Sequence, residues 1–138
     1  MRRKVQEGVC EVDCVDPAAV AAAGGALPPE GTLREAAEAF QVLAHPHRLR
    51  ILVALERREL CVCDVSKVLG VSMSGASQHL RELRRIGAVT FRVDGKLVYY
   101  TVADPFWLRL AESVLDRSTF VAGQVRPPRP PRRRKVPA

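Results

Sequence analysis

The chain has 138 residues and 47% hydrophobic content, enough for one compact domain with an ordinary core and short of two. No run approaches the ~18 apolar residues of a membrane span, and no apolar signal-peptide core follows the basic start Met1-Arg2-Arg3-Lys4, so a cytoplasmic protein without a membrane partner is expected. The net charge of +7 is mostly local: Arg126, Arg129, Arg132, Arg133, Arg134 and Lys135 carry six positives with no acid among them, and taking six from seven leaves +1 for residues 1–125. High basicity alone therefore says little about a nucleic-acid partner.

In chain order, residues 1–31 read as an arm. Cys10 and Cys14 lie four apart, which a helical turn would place on one face. Asp16-Pro17 suits an N-cap and first helical residue for a short Ala-rich helix through Ala23, and Gly24-Gly25 and Pro28-Pro29 then break the chain. A globular part is expected over 32–118. Thr32-Leu33-Arg34-Glu35 matches a capping box, and Leu33, Ala36, Ala37, Phe40 and Leu43 form the stripe of the helix it opens. His45-Pro46 ends that helix and starts another, with His45 as cap and His47 on a solvated first turn. Leu49, Ile51, Leu52, Val53 and Leu55 make this second helix apolar nearly all round, the expected centre of the core.

Leu60-Cys61-Val62-Cys63-Asp64-Val65 precedes a short helix with Asp64 as expected N-cap, Val65, Val68 and Leu69 as its stripe and Gly70 as its left-handed end. If Cys61 and Cys63 lie in the extended approach to that helix, their sulfurs point the same way, and the positive helix end lowers their thiol pKa. After the tight Gly70-Val71-Ser72 connection a second helix begins near Ser74, burying Met73, Ala76, Leu80 and Leu83. Its polar side, Ser74, Ser77, Gln78 and Arg81 with Ser72 at its head, is a donor and acceptor set suited to base edges and phosphates in a major groove. Two strands flank Asp94-Gly95 as a type I′ hairpin, a wing whose Arg92 and Lys96 are placed to meet the DNA backbone. Asp104-Pro105 opens a last helix, where Phe106, Trp107, Leu110, Ala111, Val114 and Leu115 make a large apolar face suited to a homodimer seam. Residues 119–138 read as a disordered Pro/Arg-rich basic tail that adds salt-sensitive DNA attraction.

The fold class expected is mainly α with a small β-hairpin wing (α+β), a homodimeric winged helix-turn-helix. All four cysteines fall in two close pairs, and four thiolates without a nearby histidine make a soft site for Cd²⁺, Pb²⁺ or Zn²⁺. Their spacing is not that of a standard zinc finger. A redox reading, in which the pairs close into disulfides, stands as the alternative. No Cys-x-x-Cys, Gly-rich phosphate loop or general base beside the thiols is present, so neither an enzyme nor a small organic substrate is expected.

Leu43-Ala44-His45-Pro46-His47-Arg48-Leu49-Arg50-Ile51-Leu52, Glu59-Leu60-Cys61-Val62-Cys63-Asp64-Val65 and Ser77-Gln78-His79-Leu80-Arg81-Glu82-Leu83, with Asp94-Gly95-Lys96 in the wing, resemble the ArsR/SmtB family of winged-helix repressors over roughly residues 32–117. The arm cysteines add a resemblance to the cadmium/lead/zinc-responsive CadC-like branch; arsenite sensors share the Cys-Val-Cys segment without an arm pair. The resemblance implies a homodimer that holds a pseudo-palindromic operator upstream of a metal-efflux or resistance gene and releases it on binding metal. It further implies one thiolate site per subunit, in which Cys10 and Cys14 of one subunit join Cys61 and Cys63 of the other. Some family members carry a second zinc site on the last helix. Here Asp104 matches its first position, while Phe106, Arg117 and Phe120 fall on the others and cannot ligate, so that site is expected to be absent.

Overall fold

Residues 7–116 are described by the computed structural model, as six helices and three short strands. The readings that concern 117–138, Arg117, Phe120 and the basic tail among them, lie outside the described residues. The chain divides into two compact units, one up to Glu38 and one from Ala39.

In the first unit Asp16 caps α1 (Pro17–Gly25), its Oδ1 accepting from the N–H groups of Ala18 at 3.0 Å and Ala19 at 3.2 Å. The helix continues through Gly24 to Gly25, past the expected break, and buries no residue. α2 (Glu30–Leu43) begins two residues before the Thr32 cap read from the sequence, with the Glu30 carboxylate in the first turn, where it complements the positive helix end. Its division between the units falls after Glu38.

The buried residues of α2 are Ala39, Val42 and Leu43, so the expected stripe is displaced: Leu33 and Phe40 are exposed. α3 (Pro46–Arg57) is the centre of the second unit's core, as expected. It packs against the three helices that follow it and against the sheet, with Ile51, Leu52 and Leu55 buried. The helix-turn-helix consists of α4 (Val62–Leu69) and α5 (Met73–Arg85). Gly70, at φ +66°, ends α4 in the left-handed region, and Val71 N–H reaches back to Ser66 C=O at 3.1 Å. Ser66 is buried in the place expected of exposed Val68, and its hydroxyl donates to Val71 C=O at 2.6 Å, stapling the turn. Ala76, Leu80 and Leu83 seat α5 in the core; Met73 does not join them and is 48% exposed. Truncating a core leucine such as Leu80 to Ala would cost ~2–5 kcal/mol.

β1 (Leu60–Cys61), β2 (Val89–Asp94) and β3 (Leu97–Val102) form an antiparallel sheet in the order β1-β3-β2. Asp94 pairs with Leu97, so the hairpin loop is Gly95-Lys96. Gly95 has φ +61° and, among the described residues, no non-Gly residue has positive φ, which is the type II′ pattern and not the expected Asp94-Gly95 type I′ turn. Asp104 starts α6 (Pro105–Asp116), its Oδ1 accepting from Phe106 N–H at 2.9 Å. Ala111 and Leu108 are buried in the core, and Trp107 and Leu110 pack against it. The open apolar face of α6 is therefore narrower than the six residues read from the sequence: Phe106, Val114 and Leu115 are exposed, and Ala111 is not available to a partner. Among the described residues, no helix is long and apolar enough to cross a membrane.

Candidate functional site

The two cysteine pairs stand in different settings. Cys10 and Cys14 are both exposed free thiols, and Cys14 Sγ donates to Cys10 Sγ at 3.4 Å. That contact comes first, then the neighbouring sulfur's charge and a little burial, in raising the Cys14 pKa above its ordinary 9.0. Sulfurs sharing a tetrahedral ion at ~2.3 Å sit about 3.8 Å apart, so the pair needs little adjustment to share one.

Cys61 and Cys63 are not both in an extended approach. Cys61 ends β1 and is itself the N-cap of α4, while Cys63 already lies in the first helical turn; Cys61 is buried and Cys63 exposed. Asp64 is the third residue of α4, closing a capping box. Its N–H faces the Cys61 sulfur and its Oδ2 accepts from Cys61 N–H at 3.2 Å. The Asp64 N–H favours the thiolate and is the largest single influence on Cys61. Burial and the Asp64 carboxylate together outweigh it, so the thiol pKa is raised, against the lowering expected beside a helix N-terminus. Among the described residues, no three or more His, Cys, Asp or Glu side chains are gathered to hold a metal. What the chain does offer is four free thiols, a donor set that fits soft divalent ions.

The recognition-helix residues are accessible. Ser74, Gln78 and Arg81 are exposed and Ser77 half-buried, on the side of α5 away from Ala76, Leu80 and Leu83. Ser72 has a structural task as well: its Oγ accepts from Gly75 N–H at 3.0 Å as the N-cap of α5. In the wing Lys96 is exposed in the hairpin loop, and Arg92 is held by Glu59, which lies on the approach to β1. The Arg92 guanidinium holds the Glu59 carboxyl below its ordinary value. Arg84 of α5 covers the Phe91 ring at 4.3 Å, tying the recognition helix to β2.

Two features escaped the sequence reading. One is Glu59. The other is His79, which brings all three histidines together: its ring centroid lies 4.5 Å from His45 and 5.4 Å from His47. His47 is thus half-buried in a ring cluster and not simply solvated. His45 caps α3 as expected, its Nδ1 accepting from His47 N–H at 3.1 Å, and Arg48 Nε donates to His79 Nδ1 at 3.3 Å. Burial lowers the pKa of both His45 and His79, helped at His45 by Arg48 and at His79 by His45 and Arg48, which favours the neutral rings. Arg48 also donates to Val42 C=O at 3.1 Å, joining the end of α2 to the recognition helix. The sequence interval between His47 and His79 offers no signal for this cluster.

Comparison with known proteins places this architecture. Residues 45–90, spanning α3, the helix-turn-helix and the start of the wing, match the family described as bacterial regulatory protein, arsR family. The chain is 45% identical over 83 residues to a transcriptional repressor SmtB homolog of Synechocystis sp., a match covering 60% of this chain and 63% of that protein. It is 35% identical over 105 residues to the cadmium resistance transcriptional regulatory protein CadC of Listeria innocua, covering 75% of this chain and 87% of the relative. Among solved structures it is similar to HlyU from Vibrio cholerae, with 35% identity, TM-score 0.56 and coverage of 64% of this chain and 93% of the other. It is also similar to a homodimeric winged helix-turn-helix DNA-binding domain from Mycobacterium bovis, with 28% identity, TM-score 0.60 and coverage of 68% and 90%. The SmtB and CadC relatives are transcriptional regulators, and with the helix-turn-helix, the wing and the Cys-Val-Cys-Asp segment all in the expected order, the chain belongs to the ArsR family of winged helix-turn-helix transcriptional regulators.

Proposed function

We propose that the protein is a metal-responsive repressor: a homodimer that holds a pseudo-palindromic operator in its metal-free form and releases it when Cd²⁺, Pb²⁺ or Zn²⁺ binds to Cys10, Cys14, Cys61 and Cys63, freeing a metal-efflux or resistance gene. The observation that carries this reading is that Cys61 caps the first helix of the helix-turn-helix, so chemistry at its sulfur acts on an element packed directly against the recognition helix. The role of the CadC relative in cadmium resistance points the same way.

A soft divalent ion, when bound, supplies a cross-link between thiolates and displaces their protons. The rest is done by the chain. A ligand on Cys61 pulls on the sulfur that faces the Asp64 N–H, which re-aims the first turn of α4. α4 packs on α5 through the Val65 and Leu69 side of the core. Ser74, Ser77, Gln78 and Arg81 are then displaced relative to base edges, while Ser72, as cap, fixes where that helix starts. In a two-fold dimer the two recognition helices must meet half-sites about one turn apart, so small shifts in each are felt together. Phe40, Phe106, Val114 and Leu115 are large apolar side chains left exposed in the second unit, and they are the candidates for the dimer seam, with the open parts of Trp107 and Leu110.

The test is operator binding by fluorescence anisotropy with Cd²⁺, Pb²⁺, Zn²⁺ and arsenite titrated separately. Release by the divalent ions, with a thiolate-to-metal charge-transfer band at the same stoichiometry, is the expected result. An operator complex that survives with the metal seated would overturn the regulatory reading.

A further inference from the structure

The sheet sets Cys61, Tyr99 and Arg92 in one row: Cys61 pairs with Tyr99 across β1 and β3, and Tyr99 with Arg92 across β3 and β2. Directly opposed residues of antiparallel strands project from the same face. The Arg92 guanidinium accordingly lies over the Tyr99 ring, 4.7 Å from its centroid. Its acidic partner comes from the segment that leads into Cys61. Nε donates to Glu59 Oε2 at 2.9 Å and Nη2 to Glu59 Oε1, a two-pronged pair, while Nη1 stands 3.7 Å from Asp94 Oδ2.

Every nitrogen of this guanidinium thus faces a carboxylate, and one of its faces is covered. A DNA phosphate presents the same two-oxygen acceptor edge as a carboxylate, so it would compete with Glu59 for the same fork of Arg92. Both side chains remain in water, 55% and 30% exposed, and an exposed ion pair is weakly held, so the exchange is within reach of DNA binding.

Resting on the regulatory reading above, we propose that Glu59 is a positioning residue for the wing. In the free protein it holds Arg92 off DNA. In the operator complex it yields Arg92 to a phosphate. Because it lies two residues before Cys61, a ligand fixed on that thiolate draws Glu59 back onto Arg92 and weakens the wing's grip. The signal from the thiol then reaches DNA along the sheet as well as through α4 and α5.

The experiment compares the full-length wild type, Glu59→Gln, Arg92→Gln and the double variant on a labelled duplex selected from random sequence by the wild type, without metal and with saturating Cd²⁺. Melting curves verify that each variant is folded. Freeing one phosphate-gripping guanidinium should tighten metal-free binding of Glu59→Gln by about 3- to 10-fold. It should also shrink the Cd²⁺-induced loss of affinity, with Cd²⁺ binding itself, read from the charge-transfer band, unchanged. In the Arg92→Gln background the Glu59 substitution should have no effect. Unchanged or weaker binding by Glu59→Gln would overturn the proposal, and so would the same tightening without Arg92, which would mean general charge repulsion. If wild-type protein kept its DNA with Cd²⁺ bound, the metal-responsive reading and the metal limb of this proposal would both fail. The metal-free cycle would still decide whether Glu59 and DNA compete for Arg92.

Discussion

The arm thiols and the body thiols of one chain make opposite use of the same residue type. Cys10 and Cys14 precede a helix that buries nothing, and each has the other's sulfur as its neighbour. Cys61 is only 9% exposed, caps α4, and is fixed by sheet pairing to Tyr99 and by a two-way exchange with Asp64. The contrast shows how a thiol can be made informative: its ligation matters to the rest of the molecule in proportion to the structure it already holds. The arm sulfurs belong to a segment that buries nothing, whereas a ligand on Cys61 is held at a helix cap.

The largest expected effect breaks the comparison at its centre. Losing a ligand should cost at least as much as losing a group that hydrogen-bonds to a ligand, so each single Cys→Ser variant should lose metal affinity by on the order of 100-fold or more. The variants should part ways in what remains. Cys10→Ser and Cys14→Ser, given enough Cd²⁺ to occupy the other thiols, should still release part of the operator, because Cys61 is still engaged. Cys61→Ser should hold the operator at every Cd²⁺ concentration while binding it normally without metal. Titrated anisotropy reads both quantities. Loss of metal-free DNA binding in Cys61→Ser would instead make that thiol part of the scaffold.

Next in size is reactivity. With Cys61 buried and Cys10, Cys14 and Cys63 exposed, alkylation by iodoacetamide at pH 7.5, followed by mass spectrometry, should modify three thiols promptly and Cys61 at least about 10-fold more slowly. The raised pKa of Cys61 also sets a sign for stability. A thiol whose folded pKa lies above its unfolded value favours the native state below the unfolded pKa, and that contribution is lost as pH climbs through the folded one. Metal-free stability should therefore fall above about pH 9 in the wild type, and fall less in Asp64→Asn, where the carboxylate that lifts the thiol pKa is gone. Denaturant midpoints between pH 7 and 10 check it. Equal alkaline loss in both would mean that the Asp64 charge does not govern Cys61.

How much of this was legible beforehand depended on how local each cause is. The stop at Gly70, the cap at Asp16, the Asp104-Pro105 start and the core of α3 rest on neighbours in sequence, and they stand as read. The start of α4 was misplaced because an acid serves equally well at the N-cap or at the third helical residue, and Cys61 is an unusual cap. In α2 two apolar stripes of helical spacing compete, and only the tertiary neighbours select Ala39 and Val42, beside the expected Leu43, over Leu33 and Phe40. The histidine cluster and the Glu59–Arg92 pair join residues more than 30 positions apart, so no periodicity announces them.

The smallest effects test the comparison most sharply, because they apply one chemistry in both places. Asp64 and Asp16 each satisfy free N–H groups at a helix start, Asp64 through the capping box and Asp16 directly. Removing a cap from a helix that contributes to the core lowers global stability by about 0.5–2 kcal/mol, so Asp64→Ala should lower the denaturant midpoint measurably. α1 buries no side chain, so its fraying is expected to expose little apolar surface. Asp16→Ala should leave the global midpoint within about 0.3 kcal/mol of wild type while speeding amide exchange over Ala18 to Val20. If Asp16→Ala lowered the midpoint as far as Asp64→Ala does, the arm would be structurally coupled to the body. The Cys10–Cys14 pair could then act on that body without any need of Cys61, and the asymmetry between the two thiol pairs would vanish.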